Sequence, residues 1–239
     1  MAEDNLGLIS INGFNKRSAT IGGKNDTQDT FSFRIDSFDS SINVSLTEMS
    51  KNANLELHRD SNENGKIDSN EPMIGLSTHS GGHDEVLNLS SRFNNVNPGS
   101  YIVRVKQADS GKFRYNLKVS ASATFDSNRL LVGETETTLD RTLSFNGSLS
   151  KSNTADTYRF QAPSRDTYSF FTDRNVDMRL IDDKNNNQIV DSGEVVANSL
   201  GSGDFERISL NLDSGEYYVQ VYGDAQLNGS NNPYTLTAS

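Results

Sequence analysis

Five short patterns occur in the first half of this 239-residue chain and return, in the same order, in the second half. Asp29-Thr-Phe-Ser-Phe33 returns as Asp156-Thr-Tyr-Arg-Phe160, and Leu55-Glu-Leu57 returns as Met178-Arg-Leu180. Glu85-Val-Leu-Asn-Leu89 returns as Glu206-Arg-Ile-Ser-Leu210, and Gly99-Ser-Tyr-Ile-Val-Arg-Val105 as Gly215-Glu-Tyr-Tyr-Val-Gln-Val221. Tyr115-Asn-Leu-Lys-Val-Ser120 closes the first series and Tyr234-Thr-Leu-Thr-Ala-Ser239 the second. A repeat of this length predicts two units of one fold, each with its own core. The junction is expected in the Ser/Ala/Thr stretch from Ala121 to Phe125, giving domains over residues 1–124 and 125–239, with Asn128 to Asp140 leading into the second.

The patterns alternate apolar and polar residues, so each places one face of a strand in a core. Phe31, Phe33 and Ile35 share a face, as do Ile42, Val44 and Leu46. A first strand through Leu6, Leu8, Ile9 and Ile11 alternates less regularly, and a second runs through Ala19 and Ile21. Strands recur about every ten residues, separated by Asn-Pro-Gly and Ser-Gly turns, which is the spacing of a sandwich or barrel. No window of helical length holds a 3.6-residue period. Hydrophobic residues make up only 33% of the chain, but its twelve Phe and eight Tyr fall largely in the alternating runs, unlike a disordered composition.

In both halves the Leu/Met-x-Leu strand runs into an Asp/Asn-rich stretch of twelve residues. The first is Asp60-Ser-Asn-Glu-Asn-Gly-Lys-Ile-Asp-Ser-Asn-Glu71 and the second Asp183-Lys-Asn-Asn-Asn-Gln-Ile-Val-Asp-Ser-Gly-Glu194. Oxygen-bearing side chains stand at positions 1, 3, 5, 9 and 12 of each, which is the spacing of an EF-hand calcium loop. The expected ligands are Asp60, Asn62, Asn64, the peptide oxygen of Lys66, Asp68 and Glu71. In the second loop they are Asp183, Asn185, Asn187, the peptide oxygen of Ile189, Asp191 and Glu194. Gly65 fills the position where the chain turns sharply. Gln188 stands there in the second copy, where positive φ disfavours a side chain, so that site is expected to be weaker or reshaped. The flanking segments read as strands and Pro72 directly follows Glu71, which argues for a clamp between strands and against a helix-loop-helix sensor.

Each half resembles the bacterial pre-peptidase C-terminal (PPC) domain. The resemblance rests on Asp-Thr-aromatic-x-Phe at Asp29 and Asp156, and on the Leu-x-Leu strand entering the Asp/Asn-rich loop, where Met178 replaces the first leucine. The Gly-x-Tyr-x-Val-x-Val strand and the closing Tyr-x-Leu at Tyr115 and Tyr234 complete it. It implies an all-β chain of two tandem β-sandwich (jelly-roll-like) domains, non-catalytic, appended to secreted proteases or other exported bacterial proteins. Some relatives bind calcium and a related collagenase module binds collagen; no residue set here carries collagen binding over.

A net charge of −10 and a pI of about 4.8 argue against nucleic acid as a partner and suit divalent cations. There is no cysteine, hence no disulfide and no thiolate metal site. No segment has the length of a transmembrane helix. The first residues lack a signal-peptide pattern, which is compatible with a removed signal, another export route or no export. His79-Ser-Gly-Gly-His83-Asp-Glu85 offers a second metal or acid-base cluster, but the second half keeps only a glycine and the final Glu206, so a loop is the better reading. Tyr101, Tyr217, Tyr218 and Tyr222 suit packing better than a sugar platform. No nucleophile elbow is present.

The sequence therefore predicts a calcium-binding accessory or adhesion module carrying about two Ca²⁺ per chain, exported to the cell surface or medium. The alternatives are a module binding an extracellular polysaccharide or matrix protein, and a hydrolase with an unrecognised carboxylate site. Oligomeric state is left open.

Overall fold

Strict alternation in the Asp29 and Asp156 patterns becomes the central strands of two sandwiches. The computed structural model describes residues 3–38, 41–94, 96–122, 129–132, 136–151, 153–201, 203, 205–223 and 232–239. The chain divides into two compact units, Met1–Phe125 and Asp126–Ser239. Of the expected junction and lead-in, residues 123–128 and 133–135 lie outside the described residues.

The first unit contains β1 (Glu3–Leu8), β2 (Phe14–Ile21), β3 (Gln28–Ile35), β4 (Ser41–Thr47), β5 (Ala53–Asp60), β6 (Met73–Ser77) and β7 (Glu85–Ser90). A single helical turn, α1 (Ser91–Asn94), precedes β8 (Gly99–Gln107) and β9 (Phe113–Ser122). One sheet has the order β1-β3-β8-β5-β6 and the other β2-β9-β4-β7. β1 runs parallel to β3, and the other pairings are antiparallel. Phe31, Phe33, Leu55, Leu57, Tyr101 and Val103 from the first sheet meet Ile42, Val44, Leu87, Leu89, Leu117 and Val119 from the second in one buried cluster. Full burial of such side chains stabilises by about 1.5–3 kcal/mol each.

The second unit contains β10 (Glu136–Thr138), β11 (Leu143–Leu149), β12 (Ala155–Ala162), β13 (Asp166–Thr172), β14 (Asp177–Ile181), β15 (Val195–Ser199), β16 (Glu206–Leu212), β17 (Gly215–Tyr222) and β18 (Asn232–Ala238). Its sheets, β10-β12-β17-β14-β15 and β11-β18-β13-β16, match those of the first unit position for position. The parallel pairing of the leading edge strand is kept, since β10 runs parallel to β12. Aromatic contacts join the two layers: Phe145 meets Tyr158 at 5.5 Å between ring centroids, and Phe160 meets Phe170 at 5.5 Å.

Each twelve-residue loop is the connection of an outer hairpin, β5 to β6 in one unit and β14 to β15 in the other. Both hairpins shift register on the approach to the loop, between Leu57 and His58 and between Leu180 and Ile181. The strand preceding each loop packs against a central neighbour, β8 or β17, so the entry to the loop is held rigidly.

Candidate metal centre

In the first loop the chain folds around its own carboxylates. Asp60 accepts from the backbone N–H groups of Asn64 at 3.2 Å and Gly65 at 2.9 Å. Asn62 Oδ1 accepts from the N–H of Asn64 at 3.1 Å, and Asn64 Oδ1 from that of Lys66 at 2.7 Å. At the far end Glu71 closes the loop by accepting from Ser61 N–H at 2.9 Å and Asp68 N–H at 3.1 Å. Asp60 and Glu71 are buried, while Asn62 and Asn64 are exposed. The two amide groups donate to the same oxygen of Asp68, both at 2.8 Å. These two donors hold the Asp68 carboxyl below its usual range.

The second loop repeats this frame. Asp183 accepts from Asn187 N–H at 3.2 Å and Gln188 N–H at 2.8 Å. Asn185 and Asn187 accept from the N–H groups two residues on, at 3.0 and 2.7 Å. Glu194 accepts from Asp191 N–H at 2.7 Å. The amides of Asn185 and Asn187 donate to Asp191 at 2.9 and 2.8 Å, and hold its carboxyl low in the same way. Gln188 has φ 60°, beside 72° for Gly65 at the equivalent position. The conformation the sequence associates with glycine is thus adopted by a glutamine. A second positive φ, at Glu63 (58°) and Asn186 (52°), has no glycine to signal it.

Each loop carries in its sequence three carboxylates, two amide oxygens and a peptide carbonyl, hard donors of the type that suits Ca²⁺. In the positions they occupy here, no three His, Cys, Asp or Glu side chains among the described residues are grouped to hold a metal ion. The amide N–H₂ groups of the paired asparagines instead face the position-9 carboxylate and supply the positive end of its interactions.

The remaining sequence candidates have structural surroundings. Glu85 and Glu206 are buried, each bonded to a serine on the preceding strand, Ser77 and Ser199. One oxygen of each, Oε1, has no hydrogen-bond partner among the described residues. His79 is exposed, with Nδ1 3.0 Å from the carbonyl of Asp84 and 3.5 Å from Glu85. Tyr101, Tyr217 and Tyr218 are buried, and Tyr101 stacks on Phe33 at 5.6 Å. A buried cluster on β5 and β8 carries no pattern shared between the halves: Glu56 accepts from Arg104 and contacts His58 at 3.1 Å. Burial works to raise the Glu56 carboxyl, but the bonds from His58 and Arg104 outweigh it and hold it low.

The strands from β12 to β17, with the loop they enclose, are the part of the chain a family model recognises. Residues 154–223 match the bacterial pre-peptidase C-terminal domain. This PPC match begins just before the Asp156 pattern and ends just after β17. Among solved structures, the chain is similar to the pre-peptidase C-terminal domain of collagenase from Bacillus anthracis. Identity is 19%, coverage 47% of this chain and all of that one, and the TM-score 0.35. It is also similar to PliG from Aeromonas hydrophila, a periplasmic inhibitor of g-type lysozyme, at 18% identity, 44% and 95% coverage and a TM-score of 0.30. The PBSX exported protein XepA matches at 9% identity, 95% and 86% coverage and a TM-score of 0.32. No protein of curated function matches the sequence significantly. Among the described residues, no helix is long and apolar enough to cross a membrane.

Proposed function

We propose that the chain is a non-catalytic tandem of PPC-like β-sandwiches, each clamped by one Ca²⁺ in its hairpin loop, serving as an accessory or adhesion module of an exported bacterial protein. The observation that carries this reading is the recurrence of one loop frame in both units. The side chain at position 1 caps the N–H groups of positions 5 and 6, that at position 3 caps position 5, that at position 5 caps position 7, and position 12 caps position 9. Such caps fix the backbone around a central space and leave each carboxylate and amide oxygen spare lone pairs for a cation. Occupation requires the paired asparagine amides to turn their oxygens inward and release Asp68 or Asp191. A divalent ion then offsets most of the charge of the three carboxylates it draws together.

Calcium titration by calorimetry, with the melting temperature followed in parallel, tests the reading. Two sites per chain are expected, one lost in Asp60→Ala and the other in Asp183→Ala. Free Ca²⁺ at about a hundred times Kd adds roughly 2.7 kcal/mol per site. Absence of heat and of any chelator effect at millimolar calcium would refute it.

A polar depression of about 390 Å³ beside the first loop favours a binding role within the same reading. It is walled by Asn5, Ser32, Arg34, Glu63, Asn64 and Ser100 and offers donors and acceptors suited to a polysaccharide or extracellular protein. Calcium-dependent retention on a glycan or matrix array would support that role. Glu85 and Glu206, the recurring glutamates a hydrolase reading would test first, are 0% and 2% exposed and do not face a polymer chain.

A further inference from the structure

The two loops differ in what lies against them. In the second unit the short segment from Arg129 to Val132 crosses the loop as a strap. Leu130 bridges antiparallel to Ile189, the loop's position 7. Leu131 N–H donates to the carbonyl of Gln188 at 2.9 Å, and Val190 N–H to the carbonyl of Arg129 at 2.8 Å. Leu131 packs with Ile181, Val190 and Tyr218 in a small buried cluster. The Arg129 guanidinium donates to the carbonyl of Val190 at 3.0 Å and reaches Asp191, a proposed ligand, at 3.3 Å. Ile189 and Val190 are buried as a result, whereas Lys66 and Ile67 of the first loop are exposed and half-buried.

These contacts bear on the proposed ion site in two opposed ways. The strap bonds fall on Gln188 and Val190, either side of Ile189, and leave the Ile189 carbonyl outside them. They therefore hold the backbone that presents the position-7 ligand, and they brace Gln188 in its φ of 60°. The strap and the ion select the same loop conformation, so each favours the other. Against this, the Arg129 charge already neutralises part of Asp191 and repels a cation bound next to it.

We infer that Arg129 to Val132 is a positioning element of the second calcium site. Backbone docking of the strap strengthens ion binding, the Arg129 charge weakens it, and calcium in turn locks the strap down. This rests on the calcium reading above. The first loop lacks such a strap among the described residues and serves as the internal control.

Hydrogen exchange of the full chain, read by mass spectrometry with calcium and with chelator, tests the coupling alongside calorimetry. Calcium is expected to slow exchange at the Leu131 and Val190 amides in wild type and in Asp60→Ala, but not in Asp183→Ala. Arg129→Gln should tighten calcium at the second loop several-fold, and Leu131→Pro, which lacks the N–H bonded to Gln188, should weaken it several-fold. Neither should move the first site, and retained exchange protection of the β12, β14 and β17 amides reports that the second unit of the variant is folded. Two calorimetric sites with strap exchange indifferent to calcium would overturn the coupling and leave the calcium reading intact. No calcium heat in wild type would overturn both. Loss of affinity in both variants would reduce the strap to a scaffold and refute the assigned role of the Arg129 charge.

Discussion

The phenol of Tyr115 donates to Oδ2 of Asp29 at 2.7 Å, and this bond crosses the sandwich from β9 in one sheet to β3 in the other. Tyr234 and Asp156 make the same bond at 2.7 Å in the second unit, where Tyr158 joins Tyr234 at 2.7 Å. The opening aspartate and closing tyrosine of each repeat are therefore two ends of one interaction. All four side chains are buried, so each carboxylate depends on this donor for part of its solvation. Asn153 supplies a further donor to Asp156 at 2.7 Å.

Removing the donor while keeping the ring isolates that dependence. Tyr115→Phe is expected to lower the stability of the first unit by about 1–3 kcal/mol, the usual cost of leaving a buried acceptor short of a partner. Tyr234→Phe leaves Asp156 the Asn153 amide but also takes a partner from Tyr158, so a loss of the same order is expected in the second unit. Urea midpoints of the single variants give both values; no loss in either variant would show that the carboxylates do not depend on the phenol donors.

The same phenols set an alkaline limit. Burial, and then the neighbouring carboxylates, push Tyr115 and Tyr234 well above their ordinary value of 10.0. The unfolded chain releases these protons near 10.0 and the folded chain retains them. Their contribution is complete below that value and is lost as pH rises beyond it. Phenolate absorbance should lag in the folded protein and appear with unfolding, and stability should fall less steeply above pH 10 in the double Phe variant than in wild type.

Alternation made the central strands legible, because a strand with one face in the core writes its period into the sequence. The outer hairpin strands β6 and β15 bury few side chains, so their period is faint and the sequence does not single them out. Loop composition marked the connection between two strands in each half, and Gly65 announced one turn. It did not announce the positive φ at Glu63 and Asn186, which side-chain and backbone caps stabilise without a glycine. The strap was illegible for a different reason: Arg-Leu-Leu-Val has no period and no partner in the first half. The residues it meets lie some sixty positions away.

Backbone strain at position 6 offers a reciprocal pair of substitutions. Gly65 has φ 72° with nothing within 4 Å of where a Cβ would stand, so Gly65→Ala introduces conformational strain without a clash. It should destabilise the calcium-free first unit by about 1 kcal/mol. Gln188→Gly should relieve a similar amount in the second, partly offset by the added entropy of a glycine in the unfolded chain. Thermal melts in chelator measure both; a destabilising Gln188→Gly would mean that the glutamine side chain contributes more than its backbone angle costs.

Glu85 supplies a prediction on the acid side. Burial pushes its carboxyl above the ordinary 4.5, with the charge of Asp84 adding to the effect and the Ser77 bond and His79 opposing it. A raised value in the folded state means that folding takes up a proton between 4.5 and the folded value. The group's contribution is therefore complete below 4.5 and declines as pH rises through that window. Glu85→Gln does not titrate, and every other ionisable group is common to the two proteins. The stability of Glu85→Gln relative to wild type, from urea midpoints in chelator, should thus rise from pH 4.5 towards neutral and then level off. A flat difference would show that the carboxylate finds as much compensation inside the sandwich as in water, and that an Oε1 without a partner among the described residues is no burden to the fold.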